Sequence, residues 1–136
     1  MFKISPIQDV NLQRKYASLC GRKYIDGFFA YSMNDAESGE LMGFSQFEIV
    51  GEYAYLSDLY PVIDTEDFEA MFILGRATMN FIDLCGVHII KASKDSADAT
   101  LLRAIGFKEG EDGCFYADTT GMFDGKCGGH TVKLDS

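Results

Sequence analysis

The chain has 136 residues and a formal net charge of −9, from 12 basic and 21 acidic residues, and 47% of its residues are hydrophobic. This length and composition fit one domain with a sizeable core, so we expect a single domain over residues 1–136. Because phosphate backbones repel an acidic protein, the charge argues against nucleic-acid binding and favours a cationic partner, either a small-molecule amine or a cationic protein. The same charge is also typical of proteins that are acidic only for solubility.

The first residues, MFKISPIQDV, indicate in which cellular compartment the protein works. They lack the charged-then-apolar pattern of a secretory signal, and no apolar run approaches the ~20 residues of a membrane span. We therefore expect a cytoplasmic protein that does not contact a membrane. In that compartment the four cysteines stay reduced.

One pair of residues has the spacing of metal ligands, namely Cys127 and His130. A zinc site needs about four ligands, and only Cys114 lies near this pair in sequence. Ordinary thiols and a histidine at the start of a strand are the favoured interpretation, so we predict no metal site.

The chain begins with a strand and a helix. Residues 2–7 alternate in polarity and predict a strand. Residues 10–20 predict a helix that Asp9 or Asn11 can cap and that Gly21 ends.

A meander of three strands follows. Residues 28–33 and 41–50 predict strands on either side of a turn at residues 34–39, which is rich in Asn, Asp, Ser and Gly. Residues 51–52 are Gly and Glu, and a two-residue loop with glycine first fits a tight hairpin turn of type II′. The next strand begins at Tyr53, so we expect three antiparallel neighbours in one sheet.

The clearest prediction is a long helix over residues 65–84. It directly follows a strand over residues 53–63, Asp64 or Thr65 can cap it, and Gly86 ends it. Its apolar residues fall on one stripe at helical spacing. The stripe consists of Phe68, Met71, Phe72, Gly75, Met79 and Ile82.

A further strand and a short helix come next. The strand begins at residues 88–90, and the succession of strand, long helix and strand implies a right-handed crossover between parallel strands. Ser96 can cap the last helix. Gly106 suits the left-handed position after its last turn, and Phe107 can then fold back onto that turn.

Two closing strands are predicted at residues 114–118 and 130–135. The element order is then β-α-β-β-β-α-β-α-β-β. It predicts an α/β (α+β) domain with a mixed, mostly antiparallel sheet of about seven strands and flanking helices. A C-terminal edge strand could also pair between two subunits, so a homodimer stays open.

This order and a few motifs resemble the GNAT superfamily of N-acetyltransferases. The matches are Gly43 early in the second strand of the meander, the strand LSDLYPV before the long helix, and a final helix ending in LLRAIGF. In element order the resemblance covers almost the whole chain and identifies it as a divergent member. It implies the acyl-CoA N-acyltransferase fold and transfer of an acetyl group from acetyl-CoA to an amine.

The resemblance also implies a position for acetyl-CoA. The cofactor would lie along the strand before the long helix, in a notch where that strand splays from the next. Its pyrophosphate would sit on a loop of the form Gln/Arg-x-x-Gly-x-Gly/Ala, whose bare N–H groups and glycines admit the phosphates. The implied contact residues are Leu59, Tyr60, Val62, Asp67, Phe68, Ala70 and Met71.

The cofactor loop departs from the family pattern. Residues 66–71 contain no glycine and begin with an acid, and the helix start carries Asp64, Glu66, Asp67 and Glu69. A carboxylate about 4 Å from a phosphate costs on the order of 1 kcal/mol in water and about 4 kcal/mol near a protein surface. The helix dipole stabilises a phosphate at the helix start by only ~0.3–1 kcal/mol. We therefore expect a degenerate loop that does not bind acetyl-CoA tightly.

Proton transfer departs from the pattern as well. The resemblance implies a carboxylate on the strand before the long helix as general base, which makes Asp58 the candidate. The alternative is that Asp58 is a solvent-facing strand residue. The family's proton-donating tyrosine corresponds to Leu102, which cannot donate. Tyr116 is then the candidate acid, with Tyr60 and Cys114 as alternatives.

Two functions stay open at this point. The first is an N-acetyltransferase with an atypical cofactor loop. The second is a non-catalytic binding or interaction module of the same fold, which has lost tight binding of CoA and binds a cationic ligand at the notch or at the acidic helix start.

Overall fold

The computed structural model describes residues 1–123 and shows a mixed sheet flanked by helices. In chain order the elements are β1 (Phe2–Pro6), α1 (Val10–Leu19), β2 (Phe29–Asp35), β3 (Leu41–Val50), β4 (Tyr53–Pro61), α2 (Phe68–Leu84), β5 (Ile89–Ala92), α3 (Ala99–Ile105), β6 (Lys108–Glu109) and β7 (Phe115–Asp118). The predicted order is confirmed from β1 to α3. Among the described residues, no helix is long and apolar enough to cross a membrane.

The seven strands of the described part form one sheet in the order β1-β2-β3-β4-β5-β7-β6. Strands β1 to β4 are antiparallel neighbours, and β7 is antiparallel to both β5 and β6. Only β4 and β5 are parallel, because α2 carries the chain back to the same end of the sheet. The predicted fold class, a mixed and mostly antiparallel sheet with flanking helices, is confirmed.

The hairpin between β3 and β4 has the turn that its sequence predicts. Gly51 has a φ of +61°, and Glu52 after it does not share a positive φ. A type II′ turn requires this combination, since only its first central residue takes a positive φ. The turn sets the register that pairs Val50 with Tyr53.

Two apolar cores lie on the two faces of the sheet. On one face α2 and α3 cover the central strands, and the buried side chains there include Leu59, Leu74 and Leu102. On the other face α1 covers a smaller core, which contains Ala17 and Phe44. The sheet is therefore the middle of three layers.

Two glycines let α2 approach its neighbours closely. At Gly75 in α2, a Cβ atom would lie 3.0 Å from a methyl group of Leu59 and 3.0 Å from one of Ile105. At Gly43 in β3, a Cβ atom would collide with the Met71 side chain. The N-terminal half of α2 is therefore seated directly on β3 and β4, which fixes its first turn beside the end of β4.

The start of α2 differs from the prediction. The helix begins at Phe68, and Asp67 caps it, so neither predicted capping residue is used. Thr65 belongs to a turn instead, because its N–H and its hydroxyl both donate to the Val62 carbonyl, at 3.0 and 2.6 Å. Asp64 has a φ of +67°, outside the helical region. Several residues here can cap a helix, and the turn decides among them.

The cap of α3 also differs from the prediction. Asp98, rather than Ser96, accepts the N–H groups of Thr100 and Leu101, at 3.1 and 3.3 Å. The Ser96 hydroxyl accepts the Ser93 N–H at 2.9 Å. The cap lies two residues further along because Ser96 is already used in the preceding turn.

The end of α3 is as predicted, and the closing strands are so in part. Gly106 has a φ of +123°, and the Phe107 N–H donates to the Leu102 carbonyl at 2.9 Å. The strand predicted over residues 114–118 is β7. Strand β6 was not predicted, since two residues carry no periodicity. The strand predicted over residues 130–135 lies outside the described residues.

Candidate functional site

A gap opens between β4 and β5 where their ladder stops. The strands pair from Tyr53 to Leu56 and from Ile89 to Ala92, but β4 continues to Pro61 after β5 has ended. The register of β4 against β3 shifts at the same level, which marks a β-bulge. The ladder to the next strand therefore ends before β4 does, at the place where the resemblance implies a notch.

A cavity of about 280 Å³ lies at the mouth of this gap, between the end of β4 and the starts of α2 and α3. Most of the predicted cofactor-contact residues line it, namely Leu59, Tyr60, Asp67, Phe68 and Met71. The other two lie elsewhere, since Ala70 is fully buried and Val62 packs on the core beneath α1.

The walls of this cavity are apolar and acidic. Glu66, Asp67 and Asp98 contribute carboxylates, and no Lys, Arg or His is among the described residues that line it. Tyr60 and Phe68 contribute aromatic rings, and Phe68 is 51% exposed. Such walls attract a cation and repel an anion.

The start of α2 is partly satisfied by its own carboxylate. Asp67 accepts the Ala70 N–H at 3.0 Å, and the Met71 N–H donates to the Asp67 carbonyl at 3.0 Å. A helix start attracts anions through such N–H groups and through its dipole. Here a built-in anion already occupies that position.

The backbone N–H group on the gap-facing edge of β4 also has a hydrogen-bond partner within the chain. The Leu59 N–H donates to the Ser96 carbonyl at 2.8 Å. Backbone groups alternate along a strand, and the Val62 N–H points the other way, towards the Met42 carbonyl at 3.2 Å. The next gap-facing residue after Leu59 is therefore Pro61, which has no N–H. From Leu59 onward, this edge offers no free amide to a ligand.

Asp58 lies one residue before that edge and is 4% exposed. Its Oδ1 accepts Nε of Arg22 at 2.6 Å, and its Oδ2 accepts Nε2 of Gln46 at 2.8 Å and the Ser57 hydroxyl at 2.7 Å. The interpretation of Asp58 as a solvent-facing residue is therefore wrong. The bulge turns its side chain into the protein, where three donors hold the carboxylate, and it does not line the cavity.

Arg22 is the residue that connects this carboxylate to the far side of the gap. Its Nη2 donates to the Asp95 carbonyl at 2.9 Å, and its guanidinium lies 4.1 Å from the centre of the Tyr60 ring. The Tyr60 hydroxyl donates to the same carbonyl at 2.8 Å, and burial raises the pKa of Tyr60. Arg22 is not predictable from the sequence, because it lies 36 residues from Asp58 and no motif marks it.

The candidate acid Tyr116 lies elsewhere, on β7, where it pairs with Lys91. Its hydroxyl donates to Oδ2 of Asp112 at 2.8 Å, and this hydrogen bond raises the pKa of Tyr116 and lowers that of Asp112. Cys114 lines a separate cavity of about 420 Å³ beside α3. The structure therefore does not bring Asp58 and Tyr116 to one cavity.

The described part of the chain holds no group of three His, Cys, Asp or Glu side chains that could bind a metal ion. Cys20, Cys85 and Cys114 are free thiols. Cys127 and His130 lie outside the described residues.

Solved structures of N-acetyltransferases share this fold. The ribosomal-protein-S18-alanine N-acetyltransferase from Escherichia coli gives a TM-score of 0.68 over 87% of this chain and 94% of that chain, at 15% identity. A GNAT family acetyltransferase from Brucella melitensis, in complex with acetyl-CoA, gives 0.66 over 87% and 88%, at 12% identity. An IAA acetyltransferase from Bacillus cereus gives 0.64 over 82% and 79%, at 11% identity. No family model and no curated protein matches the sequence.

These similarities establish the architecture: the chain has the acyl-CoA N-acyltransferase fold of the GNAT acetyltransferases. The resemblance inferred from the sequence is thereby confirmed at the level of the fold. Identities of this size carry no residue roles, so the chemistry of the gap has to be judged from its own side chains.

Acetyl-CoA is the cofactor that this fold implies, and the groups in the gap do not fit it. A pyrophosphate needs free N–H groups and an uncharged, open approach at a helix start. Here Asp67 accepts one of those N–H groups, and residues 62–74 contain no glycine. An extended arm along β4 needs free amides, and the Leu59 amide is bound to Ser96.

Proposed function

We propose that this chain is a non-catalytic binding module with the acetyltransferase fold, which takes a cationic ligand and does not bind acetyl-CoA tightly. The ligand is a small-molecule amine or a cationic segment of a partner protein. The observation that carries the proposal is the 2.8 Å hydrogen bond from the Leu59 N–H to the Ser96 carbonyl. It engages, within the chain, a backbone amide of the strand along which the resemblance would place a cofactor arm.

The composition of the 280 Å³ cavity supports a cationic ligand. An ammonium group there would meet the carboxylates of Glu66, Asp67 and Asp98 and the rings of Tyr60 and Phe68. Opposite charges attract most strongly where the site is partly screened from water, and an aromatic face adds about 0.5–1 kcal/mol for an exposed cation. The net charge of −9 adds a long-range attraction for the same class of ligand.

An N-acetyltransferase with an atypical cofactor loop is the second candidate. It is favoured by the fold and by neighbours that were solved with acetyl-CoA or CoA. For this candidate, Asp58 and Tyr116 remain the proposed base and acid, and each would first have to leave its present hydrogen-bond partners.

A thermal-stability titration separates the two candidates. A ligand at 100 times its dissociation constant adds about 2.7 kcal/mol, or roughly 10 °C for a chain of this size. We expect 1,4-diaminobutane to raise the melting temperature and acetyl-CoA at about 1 mM to leave it unchanged. A rise with acetyl-CoA would favour the enzyme and contradict the proposal.

A charge-matched pair of variants locates the amine. The triple variant Glu66→Gln, Asp67→Asn and Asp98→Asn removes three carboxylates from the cavity, and asparagine still caps both helices. The control removes three exposed acids elsewhere, at Glu37, Glu52 and Glu111, by substitution with Gln. The rise with diamine should disappear in the first variant and persist in the second. An equal response in both would show that the cavity is not the site.

A further inference from the structure

Residues 93–96, here called the strap, cross the gap between β4 and β5 without joining either ladder. Two consecutive strap carbonyls face β4. The Asp95 carbonyl accepts from Nη2 of Arg22 at 2.9 Å and from the Tyr60 hydroxyl at 2.8 Å. The Ser96 carbonyl accepts from the Leu59 N–H at 2.8 Å. Three donors therefore hold the strap against β4.

Hydrogen bonds within the strap also stabilise its conformation. The Ser93 N–H donates to the Ser96 hydroxyl at 2.9 Å, and the Asp95 N–H donates to the Ser93 hydroxyl at 3.1 Å. Ser96 is fully buried, whereas Lys94 and Asp95 are exposed. The strap thus presents its carbonyls inward and its charged side chains to solvent.

Arg22 is the donor that ties the strap to the rest of the fold. One side of its guanidinium is fixed to Oδ1 of Asp58 at 2.6 Å, and the other reaches the Asp95 carbonyl. A planar guanidinium can bridge two acceptors in fixed geometry, which a lysine ammonium does less well. The Tyr60 ring, 4.1 Å away, lies against its face.

We propose that the strap is an intramolecular closure of the gap and that Arg22 is its latch. When Arg22 no longer donates to the Asp95 carbonyl, the strap moves away from β4, and the Leu59 N–H becomes available at the edge of that strand. The strap is attached by three hydrogen bonds and lacks ladder pairing, so it opens at a lower free energy than the sheet does. This deepens the proposed function by naming what closes the gap, and the test below needs no cofactor or amine. Its failure is therefore distinct from a failure of the ligand titrations.

Hydrogen exchange of single amides, followed by NMR, tests the latch. The measured quantity is the exchange rate of the Leu59 amide relative to that of Ile90, in the middle of β5. Because Arg22→Met alone leaves Asp58 buried without its cation, the test variant combines it with Asp58→Asn. We expect the Leu59 to Ile90 ratio to rise about tenfold, the scale of one lost charge-assisted hydrogen bond. Tyr60→Phe, which loses one neutral hydrogen bond to the strap, should raise it about threefold.

Two controls make the result specific. Arg14→Met removes an arginine that stacks on the Tyr24 ring at 4.5 Å and should leave the ratio unchanged. Asp58→Asn alone, which keeps Arg22, should raise the ratio less than the double variant does. A ratio within about twofold of the wild-type value in the double variant overturns the proposal, whatever Tyr60→Phe does. This includes the case in which Leu59 and Ile90 accelerate together, since the strap would then open only with the whole sheet.

Discussion

Asp58 is a carboxylate held inside the sheet by Arg22, Gln46 and Ser57. A buried carboxylate that accepts from three donors has mainly a structural role, because each donor would be left unsatisfied without it. Its position beside Leu59 places this carboxylate at the edge of the gap. The Arg22 ion pair therefore joins the chain after α1 to the strand that borders the candidate site.

Replacing Asp58 with Ala should lower the free energy of unfolding by about 2 kcal/mol. A fully buried ion pair loses ~3–5 kcal/mol when one partner is removed, but the Arg22 side chain is 28% exposed and water compensates part of the loss. Urea denaturation measures the change. Glu52→Gln, in the exposed turn between β3 and β4, is the control and should change it by less than about 0.5 kcal/mol. A loss at Asp58 no larger than that of the control contradicts the anchoring role.

Cys20, at the end of α1, should be chemically inert in the folded chain. Burial, and then the charge of Asp58, raise the pKa of its thiol from 9.0 to about 12. An unfolded chain releases this proton near pH 9 and the folded chain only near pH 12, so stability falls as the pH rises through that window. At pH 8 we expect iodoacetamide to alkylate the exposed Cys85 at least about a hundredfold faster than Cys20.

Peptide mass spectrometry follows the two alkylation rates. In guanidinium chloride Cys20 and Cys85 should react at similar rates, because unfolding removes the burial. Similar rates in the folded chain would contradict the burial of Cys20.

Among the elements, α2 depends on a glycine for its seat on the sheet. Gly75→Ala would normally stabilise a helix by ~1 kcal/mol. Here the new methyl group would lie 3.0 Å from both Leu59 and Ile105, so we expect a net loss of about 1–2 kcal/mol. Ala77→Gly, at a half-buried position of the same helix, is the reference and should cost about 1 kcal/mol, mainly through helix propensity. Thermal and urea denaturation of Gly75→Ala that showed a gain in stability would mean that α2 does not pack this closely.

The elements that the sequence predicts well are those with a local cause. Residues 41–50 are rich in apolar side chains and end at a glycine-led turn, and β3 has these bounds. The body of α2 follows from its apolar stripe. Its start lies three residues later than predicted because Asp64, Thr65 and Asp67 can each cap a helix, and a backbone turn selects Asp67.

The candidate site was predictable only in part. The family resemblance implies Leu59, Tyr60 and Phe68 as contacts at the junction of a strand and a helix, and they line the cavity. The strap and its latch do not follow from local sequence, because the hydrogen bond from Arg22 to the Asp95 carbonyl joins residues 73 positions apart. Contacts of this range depend on the completed fold, so no periodicity or capping pattern signals them.

For the whole molecule, the architecture favours an acetyltransferase, whereas the side chains of the gap favour a binding module. The fold is that of the GNAT acetyltransferases, with a β4–β5 ladder that ends before β4 does and a helix start beside it. The groups that a cofactor would need there are used within the chain, at Leu59 and at Ala70. A fold alone does not determine a function, so the residues at the site have to decide between the two candidates.

The central claim is that the chain itself satisfies the gap beside β4 and so excludes acetyl-CoA. Isothermal titration calorimetry of acetyl-CoA into the full chain tests it most directly. We predict no saturable heat up to about 1 mM cofactor, since the Leu59 and Ala70 amides are already engaged and the start of α2 is acidic. A one-site isotherm with a dissociation constant below about 100 µM, about −5.5 kcal/mol, would contradict the claim.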